Sequence, residues 1–301
     1  MNNICNDAYS VLVEKRNNFD YVDTHNEKMY NKDIIIKRKV GLNMNTIKEI
    51  WNYRSMISSL VKRDLRGRYK GSVLGFFWTF LNPLLQLIVY TFVFSIVMRA
   101  GIEDYYLFLF VALVPWVFFS SSVDGGAGCV RNQVNLVNKI YFPREVLPIA
   151  HVLSQLVNML LSFLVVIAVL IVSGKGINLA VWWYLPIVIL QETLLAFGFA
   201  LFFSAVTVFF RDLQYFLTIF LMAWQFLSPV MYSVDMVPDK LKFVFNLNPM
   251  SPVISAYRSI FYYKTAPELD NFLAGTIMGV IVLVVGWFTF GKLKRRFAEV
   301  L

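Results

Sequence analysis

The sequence predicts an all-α polytopic membrane protein with about six transmembrane helices. Of its 301 residues, 58% are hydrophobic and only 16% are charged, and the charges are concentrated outside long uncharged runs. A soluble domain usually carries about a quarter charged residues. A bilayer core about 30 Å thick requires roughly 20 apolar residues for each spanning helix. Segregated charge and long apolar runs therefore indicate a chain divided between lipid and water.

Six apolar stretches are long enough to cross a membrane. No stretch shows the alternation of apolar and polar residues over about ten positions that is typical of a transmembrane β-strand. We expect helices, because a helix satisfies its own backbone hydrogen bonds in lipid. The predicted spans are residues 74–98, 105–123, 146–172, 187–210, 213–232 and 272–290.

The basic residues predict the orientation of the chain. Most of the 28 Lys and Arg residues precede the first stretch, lie between the second and third, or follow the sixth. Because such residues concentrate in cytoplasmic segments, we expect a multi-pass protein of the cytoplasmic (inner) membrane with both termini in the cytoplasm. This topology accounts for most of the net charge of +9, so no nucleic-acid partner is predicted. Cys5 and Cys129 both fall inside, which argues against a disulfide or a metal site.

Two regions flank or interrupt the spans. Residues 1–43 are polar and show no apolar period, which predicts a mobile cytoplasmic extension before a transmembrane domain at residues 44–301. Apolar residues between Ile47 and Val61 share one helical face, which predicts an amphipathic helix at the inner membrane surface. An ordinary basic flank is the alternative. The outer run 243–263 is broken by Pro249 and Pro252, so we expect it to be interfacial or re-entrant.

The sequence offers little enzymatic apparatus, and we predict no catalytic, cofactor-binding or metal-binding residue. Gly286, Gly291 and Lys292 match part of the phosphate-binding loop pattern, but Leu293 stands where Ser or Thr is required. If transport is driven by ATP, the ATPase is therefore another chain. Glu192 is the only acid deep in an apolar stretch. An intramembrane acid costs about 2.5–3.5 kcal/mol on insertion scales, so we expect it to line a polar path or to make an interhelical hydrogen bond.

Five runs in this order carry a family resemblance. They are RDLRGRYKGSVLGFFWTFLNPLLQ (63–86), NKIYFPREVLPIAHVLSQLVN (138–158), FFRDLQYF (209–216), SPVMYS (228–233) and NPMSPVISAYRSIF (248–261). The chain resembles the permease subunits of ABC-type polysaccharide exporters, the Wzm and TagG type, over about residues 44–301.

The resemblance implies a homodimer of this subunit with two copies of a nucleotide-binding ATPase, which binds ATP and Mg. It implies a coupling helix seated in the ATPase, with contacts at Arg131, Asn135, Lys139, Tyr141, Phe142, Pro143 and Arg144. An interfacial helix and the approach to the first span also contact the ATPase, through Trp51, Arg66, Arg68, Tyr69 and Lys70. Short helices before the sixth span form an outer gate, with candidates Asn248, Pro249, Pro252 and Tyr257.

The substrate that the resemblance implies is a lipid-linked glycan or a teichoic-acid-like polymer, which passes through a channel enclosed by the dimer. Aromatic residues make up 17% of the chain, and their flat faces suit sliding sugar rings. The candidates for the channel lining are Phe76, Phe77, Trp78, Glu192, Trp224 and Phe226. For each aromatic residue, packing against a neighbouring helix is the alternative.

Other functions remain open from the sequence. A permease of the same superfamily that exports a small lipophilic drug or antibiotic is the nearest alternative. A membrane-embedded glycosyl- or acyltransferase would need a catalytic acid or histidine at the membrane boundary, and a proton-coupled carrier would need more intramembrane acids. The motifs do not distinguish O-antigen, teichoic acid, capsule or another surface glycan.

Overall fold

The computed structural model describes residues 45–67, 71, 75–97, 101–176 and 178–300, and these form helices and connecting turns with no strand. The chain divides into two units, Met1–Lys48 and Glu49–Leu301. Of the first unit only the last residues are described, and they begin the first helix. The predicted extension at residues 1–43 lies outside the described residues.

Twelve α-helices occur in the described residues. In chain order they are α1 (Asn45–Asn52), α2 (Arg54–Gly67), α3 (Trp78–Thr91), α4 (Tyr105–Gly128), α5 (Val134–Lys139), α6 (Val146–Val172), α7 (Leu185–Phe209), α8 (Leu213–Leu227), α9 (Asp239–Leu247), α10 (Met250–Arg258), α11 (Leu269–Leu293) and α12 (Phe297–Val300). A π-helical segment, Phe92–Val97, continues α3, and another, Ser259–Tyr263, continues α10.

Four helices are long and apolar enough to cross a membrane, namely α4, α6, α7 and α11. They coincide with the second, third, fourth and sixth predicted spans. The apolar helices at the first and fifth predicted spans, α3 and α8, are shorter. The polytopic all-α class is therefore confirmed by four candidate spans.

The fifth predicted span is too long at its C-terminal end. The apolar run predicts a span that reaches Tyr232, but α8 ends at Leu227 and Ser228 is extended, with ψ at 146°. Pro229 follows directly. The proline ring clashes with a helical conformation of the residue before it, so the helix stops there and the remaining residues form an irregular connection.

Helices α7 and α11 pack with their backbones in close approach. A Cβ atom built on Gly286 would lie 2.1 Å from the carbonyl oxygen of Gly198, and one built on Gly198 would lie 2.6 Å from the backbone nitrogen of Leu283. Small residues at such crossings allow dispersion contacts that larger side chains would prevent, which is the main source of helix association in lipid. This crossing joins α11 to α7, which in turn packs against α4.

Helix α4 forms the centre of the bundle and is buried on nearly all sides. It packs against α3, α6, α7 and α8. Rings from these helices meet at Phe119, whose centroid lies 5.3 Å from that of Trp224 and 5.7 Å from that of Phe199, both in edge-to-face arrangements. Edge-to-face pairs align the positive ring edge with the negative ring face, so they fix the orientation of α8 relative to α4 and α7.

Candidate functional site

The connection between α4 and α6 folds back onto the chain instead of projecting from it. It contains a 3₁₀ turn, Arg131–Gln133, and the short helix α5. Val137 and Phe142 are buried in one apolar cluster with Leu60 of α2 and Phe297 of α12. The connection is therefore held between the amphipathic helix and the C-terminal segment.

Phe142 does not occupy the position expected of an anchor that projects toward a partner. Its side chain is only 5% exposed, whereas Ile140 and Tyr141 are 56% and 48% exposed. The hydroxyl of Tyr53 donates a hydrogen bond to the backbone carbonyl of Tyr141 over 3.3 Å. Phe142 thus anchors the connection in the apolar cluster, and the two residues before it form its exposed apolar surface. Asn135 and Lys139 are also exposed, and Pro143 is buried.

The C-terminal segment holds the other end of this connection through polar contacts. Arg144 donates a hydrogen bond to the carbonyl oxygen of Lys294 over 2.7 Å, and its guanidinium carbon lies 5.5 Å from the centroid of the Phe297 ring. The side chain of Lys294 pairs with Glu145, which is buried. At the start of the connection, Arg131 donates a hydrogen bond to the carbonyl oxygen of Arg211 over 3.4 Å.

The amphipathic helix predicted between Ile47 and Val61 is divided in two: α1 ends at Asn52 and α2 begins at Arg54. Trp51 of α1, which belongs to the predicted apolar face, is exposed, and on α2 Leu60 is buried while Arg66 is exposed. Helix α2 packs on α6, where Asp64 lies 3.9 Å from the imidazole of His151. The other three residues predicted for this region, Arg68, Tyr69 and Lys70, lie outside the described residues.

At the other end of the bundle, a residue predicted to line the channel contacts a residue predicted for the gate. The indole nitrogen of Trp224 donates a hydrogen bond to the side-chain oxygen of Asn248 over 3.0 Å. The amide nitrogen of Asn248 donates to the carbonyl oxygen of Leu227 and to the hydroxyl of Ser228. Trp224 is buried, so in the single chain it joins α8 to the residue that follows α9 and does not line an open surface.

Glu192 also makes an interhelical contact. The hydroxyl of Tyr257 donates a hydrogen bond to Glu192 over 2.7 Å, and both side chains are fully buried. This contact joins α7 to α10. Pro252 is buried on the same helix and Pro249, which precedes it, is half-buried. The predicted gate residues are therefore buried or half-buried and do not lie on the surface of the single chain.

Arg258 is a buried cation, although the sequence analysis predicts no particular role or burial for it. Its guanidinium carbon lies 3.6 Å from the centroid of the Phe108 ring, and it donates hydrogen bonds to the carbonyl oxygens of Val230 and Tyr232 over 2.7 and 3.1 Å. Burial lowers the pKa of Arg258 to about 9. Stacking on an aromatic face and donation to carbonyls compensate part of the cost of its desolvation.

The remaining channel candidates lie on exposed faces of α3 and α8. Phe77, just before α3, is 61% exposed, Trp78 is exposed at the start of that helix, and Phe226 of α8 is 54% exposed. The side chain of Phe76 lies outside the described residues. Helix α3 also exposes two amides, Asn82 and Gln86, one helical turn apart. In the described parts of the chain, no group of three or more His, Cys, Asp and Glu residues is placed to hold a metal ion.

The sequence of this helical domain matches a known transporter family. The family model described as ABC-2 type transporter matches residues 56–262, from α2 into the π-helical segment that continues α10. The chain belongs to the ABC-2 type transporter family. The family resemblance that the sequence motifs carry is thereby confirmed.

Named relatives are similar to this family member over most of their length. An O-antigen export system permease protein of Myxococcus xanthus is 35% identical over 258 residues, which cover 84% of this chain and 98% of that protein. A protein of the same name from Klebsiella pneumoniae is 35% identical over 242 residues, which cover 80% of this chain and 93% of that protein. A polysialic acid transport protein of Escherichia coli is 27% identical over 211 residues, which cover 67% of this chain and 79% of that protein.

Proposed function

We propose that this chain is the transmembrane subunit of an ATP-driven exporter that moves a lipid-linked surface polysaccharide, or a teichoic-acid-like polymer, across the cytoplasmic membrane. The observation that carries the proposal is the similarity to O-antigen export permeases over nearly their whole length. The third relative is also named for polysaccharide transport. These names favour a polymer over a small lipophilic drug as the substrate.

The proposed topology has six spans, with α3 and α8 as the first and fifth and both termini in the cytoplasm. Helix α3 has 14 residues and its π-helical continuation has six, which together reach about 30 Å. Helix α8 has 15 residues and reaches only about 22 Å. A helix this short spans the membrane where the bilayer is locally thin or where protein surrounds it.

The amides of α3 support a dimer that encloses a channel. Asn82 and Gln86 are exposed in the single chain, and an unsatisfied amide in hydrocarbon is costly. We therefore place this face of α3 against a second copy of the chain or against a water-filled path. The exposed Phe77, Trp78 and Phe226 would then border the same path and offer flat surfaces to the polymer.

The exposed side of the α4–α6 connection is the proposed contact with the ATPase. Ile140 and Tyr141 form its apolar part and Lys139 contributes a positive charge next to them, a mixture typical of protein interfaces. Trp51 and Arg66 extend the contact onto the interfacial helix. The partner subunits, two in the complete exporter, would bind ATP and Mg, and this chain would contribute no catalytic residue.

The outer helices α9 and α10 are proposed to act as a gate. The Trp224–Asn248 and Tyr257–Glu192 hydrogen bonds join them to spans α8 and α7. A movement of either span would therefore be transmitted directly to the outer helices.

Deletion of the gene in its native cell tests the proposal. We expect surface polymer to be lost and its lipid-linked precursor to accumulate inside, and a plasmid copy of the chain to reverse both changes. Retention of normal surface polymer in the deletion strain, with no accumulated precursor, would contradict the proposed function.

A further inference from the structure

A cavity of about 380 Å³ with a mixed apolar and polar wall lies between α3, α4 and α6. Its volume falls within the range of small-molecule sites, about 300–1,000 Å³. The amides of Asn82, Gln155 and Asn158 and the hydroxyl of Ser162 contribute to its wall. Amides between spans usually hydrogen-bond across helices, whereas these amides border an open cavity, so their hydrogen-bond partners require an explanation.

The polar groups on α6 form one stripe. Gln155, Asn158 and Ser162 recur at intervals of three and four residues, which places them on one helical face. His151 continues the stripe by one turn toward the cytoplasmic end, where its Nε2 atom lies 3.4 Å from the Gln155 amide nitrogen. The stripe therefore runs from the neighbourhood of α2 into the cavity.

One of these groups lacks a hydrogen-bond partner within the described residues. The side-chain oxygen of Asn158 is buried and receives no hydrogen bond, although the hydroxyl of Ser162 donates to the Asn158 backbone carbonyl over 3.0 Å. Buried acceptors are nearly always satisfied in native proteins. An occupant of the cavity that donates a hydrogen bond, either water or a ligand hydroxyl, would satisfy this oxygen.

The cavity wall also indicates the chemical class of a ligand. Trp78 and Phe118 supply aromatic surface beside the amides, and no Lys, Arg, Asp or Glu contributes to the described wall. A hydrocarbon chain would leave the amides without partners, and an anionic group would find no cation among them. Hydroxyls presented by an apolar ring fit both the amides and the aromatic surface.

The cavity is next to the proposed channel. Trp78 and Asn82 contribute to its wall and are exposed. Gln86, one turn after Asn82 on the same face of α3, is also exposed, and this is the face that we assign to the channel. A ligand in the channel would therefore reach the cavity without crossing the packed core around α4.

We propose that this cavity is a binding site for one neutral sugar unit of the exported polymer, held by Asn82, Gln155 and Asn158 and stacked against Trp78. The inference rests on the proposed function. It adds a specific polar site at the side of the channel, which would hold the chain of sugars in register between steps of movement.

Saturation-transfer difference NMR tests the inference on the full-length chain. The chain is purified without alkyl-glycoside detergents, whose headgroups are themselves sugars, and placed in phosphatidylcholine nanodiscs, whose lipid carries no headgroup hydroxyl. The probes are the methyl glycosides of glucose, galactose, mannose and N-acetylglucosamine. We expect transfer to at least one of them, and roughly tenfold weaker binding of that glycoside in Asn82→Leu and in Asn158→Leu, because each loses hydrogen bonds to it.

Asn271→Leu, at the start of α11, is the matched control, because Asn271 is exposed and does not contribute to the cavity. It should bind as the wild type does. Asn82 is exposed, so its replacement should leave folding intact even if Asn158→Leu is unstable. Absence of transfer from the wild type to any glycoside, or equal transfer in Asn82→Leu and in the control, would overturn the inference.

Surface polymer measured in cells separates this inference from the proposed function. If deletion of the gene abolishes surface polymer while Asn82→Leu neither weakens glycoside binding nor reduces export, only the sugar site is wrong. If deletion leaves surface polymer intact, the proposed function itself fails.

Discussion

Replacement of Gly286 by alanine should weaken the contact between α7 and α11. The new Cβ atom would lie 2.1 Å from the carbonyl oxygen of Gly198, and the helices would have to separate by roughly 1 Å because the opposing atom belongs to the backbone and cannot rotate away. Overpacking of this kind costs about 1–3 kcal/mol. The better helix propensity of alanine returns about 1 kcal/mol, so we expect a net loss of up to about 2 kcal/mol relative to the wild type.

Gly291→Ala is the matched control for this prediction. Gly291 lies on the same helix, but a Cβ atom there would meet no atom within 4 Å, so only the propensity gain of up to about 1 kcal/mol should remain. The free energy of unfolding of each variant can be measured by titrating mixed micelles with sodium dodecyl sulfate and following tryptophan fluorescence. Equal unfolding free energies for the two variants would refute the close approach of α7 and α11.

Three further predictions concern the connection between α4 and α6, the topology and the N-terminal residues. Phe142→Ala should lower the unfolding free energy by about 3 kcal/mol, because Phe142 is buried. Tyr141→Ala should fold normally and retain less ATPase in a pull-down. Normal ATPase retention by Tyr141→Ala would contradict the proposed contact. An impermeant thiol reagent applied to intact cells should label Lys240→Cys and miss Lys139→Cys, and both positions are exposed. Labelling of Lys139→Cys would show that the proposed topology is reversed. Deletion of residues 2–43 should leave the membrane-inserted protein at its normal level on an immunoblot, and its loss would show that this segment is required for assembly.

The class of fold could be predicted from the sequence because lipid imposes strong constraints on length and composition. A spanning helix needs an uninterrupted apolar run, and four such runs correspond to α4, α6, α7 and α11. The end of α8 was predicted too far along the chain, because the apolar run continues past Pro229 while the helix does not. Hydropathy records which residues tolerate lipid and not where backbone hydrogen bonding stops.

The side-chain environment of the candidate site could be predicted only in part. The interhelical alternative for Glu192 was foreseen, but its partner Tyr257 lies 65 residues away and is determined by the crossing of α7 and α10. The burial of Phe142 depends in the same way on Leu60 and Phe297, which come from distant parts of the chain. No local pattern distinguishes an aromatic residue that binds a partner from one that packs inward.

The same limitation applies to Cys129. The sequence placed this residue in a cytoplasmic loop, where a thiol would be accessible from the inside. The structure buries it at the end of α4, and burial raises the pKa of the Cys129 thiol. A buried thiol with a raised pKa reacts slowly on either side of the membrane, so the engineered positions report topology and Cys129 does not.

Transport by purified components tests the central claim most directly. The chain and its ATPase would be reconstituted together in inside-out vesicles, and entry of radiolabelled lipid-linked glycan would be measured with and without ATP, beside vesicles that contain the chain alone. The account predicts ATP-dependent entry of glycan only when both proteins are present, and no ATP hydrolysis by the chain alone. Hydrolysis of ATP by the isolated chain, or an active complex that hydrolyses ATP without moving any glycan, would contradict it.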